Sequence, residues 1–71
     1  MAKLTREMVG KHIKAKITGV RSACDDIEVL SFGTCDEWCR LKAWACKDKK
    51  FCCGDELSFR VSHVNVIEVL P

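Results

Sequence analysis

A chain of 71 residues makes one domain, residues 1–71, with a thin core, since a domain of this size buries only about 60% of the surface its unfolded chain exposes. The net charge of +2 and the pI near 8.3 fall short of a strongly basic nucleic-acid footprint. No apolar run reaches signal-peptide or bilayer-span length, which predicts a soluble, cytoplasmic protein with no membrane partner.

That small net charge conceals blocks of opposite sign. Residues 1–22 hold six basic and one acidic side chain, net +5, and residues 23–37 hold five acidic and none basic, net −5. Residues 38–50 return to five basic against one acidic, net +4, and residues 51–71 end at one against three, net −2. Two basic blocks flank an acidic one.

Taken in order, the chain opens with Thr5 placed to N-cap a single helical turn, with Leu4 and Val9 as a hydrophobic staple and Gly10 as its stop. Over residues 11–21 the apolar positions recur with period two. Ile13, Ala15 and Ile17 share one face; His12, Lys14, Lys16 and Thr18 share the other, as in a half-buried strand. The paired aspartates within residues 22–26 read as a turn, and residues 27–32 as a second strand that forms a hairpin with the first.

Residues 34–54 hold five of the six cysteines and both tryptophans, and the fold reading turns on them. As a helix, Thr34 and Glu37 form a capping box, Asp36 and Glu37 put acids in the first turn, and Lys47, Lys49 and Lys50 lie past the last. Arg40, Leu41, Lys42, Ala43 and Ala45 are good helix formers. Cys35, Cys39 and Cys46 then line a stripe beside Trp38, Leu41 and Ala45, with Lys42 intruding. As a strand, Cys39, Leu41, Ala43 and Ala45 face one way and Trp38, Arg40, Lys42 and Trp44 the other. The caps and the dipole predict the helix over 35–47. Residues 55–70 are strand-like, but the apolar phase shifts near His63 and again at Ile67, so the segment is one bent strand or two.

The expected fold class is α+β: a small antiparallel sheet of three to four strands covered by one central helix, order ββαβ(β). The strand reading of 35–47 gives the alternative, an all-β five-stranded small barrel of the OB or SH3-like kind.

Three function classes are open. The basic blocks and the Trp between them predict a non-enzymatic binding module for RNA or single-stranded DNA, with Lys14, Lys16, Arg40, Lys42, Trp44, Lys47, Lys49 and Lys50 as contacts. Trp38 is read as core and Trp44 as exposed. The second class is a small regulatory protein docking on another protein through the Trp44 surface and the acidic loop. The third is a metal or thiol switch. Its candidate ligands are Cys24, Cys35, Cys39, Cys52 and Cys53 and its ion is zinc, although no C-x2-C knuckle is present. The lysines ahead of Cys52 and Cys53 would favour thiolate there. His12 and His63, the only histidines, have no evident nucleophile beside them, so no catalysis and no small-molecule substrate are expected.

Overall fold

In the computed structural model, which describes residues 2–71, the strands are β1 (Ala2–Lys3), β2 (His12–Ile17), β3 (Cys24–Phe32), β4 (Trp38–Ala45), β5 (Glu56–Arg60) and β6 (Val64–Val69). All pair antiparallel in one open sheet of order β1-β6-β2-β3-β4-β5. Short 3-10 turns at Arg6–Met8 and Val61–His63 are the only helical elements among the described residues. None is long and apolar enough to cross a membrane.

The helix expected over 35–47, and with it the α+β class, is therefore overturned. Residues 38–45 form a strand with a neighbour on each side, β3 and β5. Cys39, Leu41 and Ala43 turn into the core, while Trp38 and Trp44 stand 47% and 50% exposed. The energies explain the outcome. Helix propensities differ by only tenths of a kcal/mol per residue, whereas the strand buries Cys39, Leu41 and Ala43 together and keeps Lys42, which would intrude on the helix's buried stripe, out of the core. The residues that mimic a capping box make the β3–β4 turn instead: Asp36 takes a positive φ of 58°, and the Gly33 N–H bonds Trp38 O at 2.8 Å. Trp38, read as core, lies on the outer face.

The all-β alternative is compatible with this arrangement. Strands β2 to β5 meander, and the turn at Val61–His63 carries the chain across to β6, which lies beside β2 and antiparallel to it. The face of β2 that carries Ile13, Ala15 and Ile17 is fully buried, as its alternation requires.

Three irregularities interrupt the regular alternation. Between Cys24 and Ile27, Asp25 and Asp26 oppose the single residue Lys14, so the aspartates form a bulge rather than a turn. On β6, Ala15 faces Val66 and Lys14 faces Glu68, which leaves Ile67 as the extra residue and absorbs the second phase shift. At the N-terminus the single turn forms and Gly10 ends it at φ +85°. Leu4 is buried but Val9 is 40% exposed, so the staple is not made.

The β4–β5 loop is anchored by Phe51, which is fully buried and meets Phe59 edge-on with ring centroids 5.1 Å apart. At the same end Cys24 and Cys46 stand at disulfide distance, Cα–Cα 4.5 Å.

Candidate functional site

The pleat of β2, β3, β4 and β5 brings one polar residue from each into a single row on the outer face. His12 faces Glu28, Glu28 faces Lys42, and Lys42 faces Glu56. From Glu28 through Lys42 to Glu56 the signs alternate, and the neighbouring contacts bring polar or charged groups to complementary partners. Trp44 Nε1 donates to Glu28 Oε1 at 3.0 Å, and the Lys42 ammonium lies 4.5 Å from the Trp44 ring centroid. His12 stacks on Trp44 at 6.1 Å and its Nδ1 lies 2.6 Å from Asp26 Oδ1. Arg40 Nε is 3.7 Å from Glu56, Lys14 Nζ is 4.0 Å from Asp25, and the Arg60 guanidinium covers Trp38 at 4.9 Å. Lys16 turns along the backbone to donate to the carbonyls of Ile17 and Val20. Four of the sequence-predicted contacts, Lys14, Lys16, Arg40 and Lys42, thus already have partners within the chain.

The other three lysines behave differently. The β4–β5 loop folds against the β2–β3 turn, and the two enclose an open cleft of about 690 Å³ lined by Gly19, Arg21, Ser22, Lys47, Asp48, Lys49 and Lys50. Asp48 builds this corner. It is buried, its Oδ2 accepts the Arg21 backbone N–H at 2.9 Å, and its Oδ1 accepts that of Lys50 at 2.8 Å. Those two backbone hydrogen bonds, Arg21's first, hold its carboxyl below the usual carboxylate range, with the Lys50 and Arg21 charges adding to them. Four cations against one carboxylate leave the cleft formally at +3. Among the described residues, none of the four cationic side chains enters an ion pair. Lys47, Lys49 and Lys50 were legible as candidates; Arg21 was not, because the cleft exists only once two loops distant in sequence meet.

The cysteines are dispersed. Cys24 is buried at the start of β3 beside Cys46, and Cys35 is exposed in the β3–β4 turn. Cys39 is buried near the far end of β4, where its Sγ donates to Phe59 O at 3.4 Å; burial pushes its thiol up to about 11. Cys52 and Cys53 lie in the β4–β5 loop. The expectation that nearby lysines favour thiolate is reversed for Cys52: hydrogen bonding with the Cys53 thiol and partial burial raise its pKa, and the Asp55 and Asp48 carboxylates add to this. Among the described residues, no three His, Cys, Asp or Glu side chains group closely enough to hold a metal ion. His63 ends the turn before β6, its carbonyl accepting the Thr18 N–H at 2.9 Å.

Together these features define an all-β domain with a self-paired outer face and an unpaired cationic cleft at one end. No protein-family model, curated protein or solved structure matches the chain.

Proposed function

We propose that the protein is a non-enzymatic nucleic-acid-binding module that takes RNA or single-stranded DNA at the cleft end of the sheet. Arg21, Lys47, Lys49 and Lys50 contact phosphates there, and Trp44, on the strand that leads into the cleft loop, offers a base-stacking surface where a base displaces Lys42 or His12 from its ring. The observation that carries this reading is the contrast between two sets of cations. Those of the outer face lie against carboxylates, carbonyls or rings, whereas the four of the cleft form no ion pair among the described residues and share the single carboxylate of Asp48. Unpaired cations gain most from a phosphate backbone, because binding releases the backbone's condensed counterions.

Trp44 is half-exposed near the end of β4, three residues before Lys47. An extended chain covers that interval in roughly 10 Å, so one short strand can reach both. Lys14, Lys16, Arg40 and Lys42, held by partners within the chain, lie outside the phosphate contacts in this reading. A gel shift with a short oligouridine at low salt tests it: reversal of Lys47, Lys49 and Lys50 to Glu abolishes binding, and unchanged binding overturns the proposal.

One observation favours a second reading, docking of a protein on the outer face. Trp38 and Trp44 stand half-exposed among alternating charges, a composition typical of interface hot spots. A stoichiometric, nuclease-insensitive complex lost on Trp44→Ala would support this reading over the first.

A further inference from the structure

β5 ends the sheet, with β4 on one side and no strand on the other among the described residues. Natural edge strands are blunted by prolines, charged side chains, bulges or short length. β5, with the sequence Glu-Leu-Ser-Phe-Arg, has no proline, lysine or bulge, pairs with β4 without a register shift, and carries charges only at its two ends and of opposite sign. Its free side can be deduced. Asp55 O accepts from the Ala43 N–H at 2.9 Å and the Val61 N–H donates to Glu37 O at 2.9 Å. By antiparallel alternation the odd positions face β4, and the N–H and C=O groups of Glu56, Ser58 and Arg60 face outward.

We propose that two copies of this chain pair edge to edge through β5, antiparallel about a two-fold axis at Ser58. In that register each outward backbone group meets its mate on the second copy. Glu56 falls opposite the partner's Arg60, and Leu57 falls opposite the partner's Phe59. Both kinds of side-chain pair are favourable directly across an antiparallel ladder. Leu57 shares its face with the buried Leu41 yet is 40% exposed, because no strand lies on its side away from β4 among the described residues; the second copy supplies that neighbour. The sequence reads acid, apolar, serine, apolar, base, which is self-complementary when reversed, as a two-fold interface requires. Glu56 and Arg60 now contact Arg40 and Trp38, and such exposed contacts exchange at little cost.

Sedimentation equilibrium of the full chain, without nucleic acid, tests the pairing independently of the cleft. The wild-type chain is expected to show a reversible, concentration-dependent dimer that runs as monomer in non-reducing denaturing electrophoresis. Arg60→Glu and Glu56→Arg each place like charges opposite one another, so each variant alone is expected to stay monomeric over the same range. Mixed in equal amounts they become complementary at both ends, and a heterodimer is expected. A wild-type chain monomeric at all attainable concentrations, dimerisation indifferent to either reversal, a mixture that stays monomeric, or a dimer held by an intermolecular disulfide would each overturn the proposal.

Discussion

The indole N–H of Trp44 donates to Glu28 Oε1 at 3.0 Å, so the most exposed tryptophan of the chain is held by the strand beside it rather than left free. With Lys42 and His12 also on the ring, Trp44 is oriented without being buried.

Orientation without burial separates binding from stability. Trp44→Ala is expected to change the unfolding free energy by no more than about 1 kcal/mol, since exposed cation–π and polar contacts contribute about that much. It is expected to weaken binding to a short oligouridine by about 1–3 kcal/mol, the usual value of one stacked base. Urea denaturation and fluorescence anisotropy read the two quantities on the same sample.

Inward positions should behave oppositely. Leu41→Ala on the same strand is expected to cost about 2–5 kcal/mol and Phe51→Ala in the loop that follows about 3–5 kcal/mol, because both side chains are fully buried. Lys42→Ala should cost under about 1 kcal/mol. Urea midpoints that rank Lys42→Ala with Leu41→Ala would refute the β4 register.

These contrasts also show which parts of the fold were legible in the sequence. Ile13, Ala15 and Ile17 announced β2 because only one face of it is buried, and the phase shifts at His63 and Ile67 marked a real turn and a real bulge. The helix expected over 35–47 fails because Thr34 and Asp36 suit a helix cap and a tight turn by the same local hydrogen bonding. Only the strands on either side decide between the two. Lys47, Lys49 and Lys50 were visible as a charge run. Arg21 and Asp48 were not, since a lone arginine after a strand and a lone acid among lysines acquire meaning only when their loops touch.

The thiols divide into classes that alkylation can count. Under native, non-reducing conditions Cys35 and Cys53, both exposed, are expected to react first and Cys52 more slowly, because its pKa is raised. Cys39 should stay protected until the chain unfolds, when four adducts are reached; all six require reduction as well. Because the folded Cys39 pKa lies above its ordinary value, the stability linked to it is intact below the ordinary thiol pKa and is lost as pH rises toward about 11. Replacing Cys24 and Cys46 by Ser opens a crosslink spanning 22 residues, which the loop-entropy relation puts at about 3 kcal/mol. Mass spectrometry after iodoacetamide and a urea titration check these values.

Asp48 sets the acid limit of the cleft. Its folded pKa is depressed, so the stability it contributes is present above the unfolded carboxylate pKa, about 3.9, and is lost as pH falls through the lower folded value. Asp48→Asn leaves one of the Arg21 and Lys50 N–H groups without an acceptor. It is expected to lower the melting temperature at pH 7 and to flatten the acid limb of the stability curve. Circular dichroism melts between pH 2 and pH 7 would show both effects, and an unchanged acid limb would refute the assignment.

The most direct test of the cleft as a phosphate site is the salt dependence of binding to a fluorescein-labelled oligouridine, for wild type and for alanine variants of Arg21, Lys47, Lys49 and Lys50. Four phosphate contacts to a single strand predict a slope of log K against log salt near −3, and each variant should reduce its magnitude by about 0.7. Lys14→Ala and Arg40→Ala, whose side chains lie against carboxylates, should leave the slope unchanged. No binding at low salt, or a slope that responds to Lys14 and Arg40 but not to the cleft residues, would contradict the assignment.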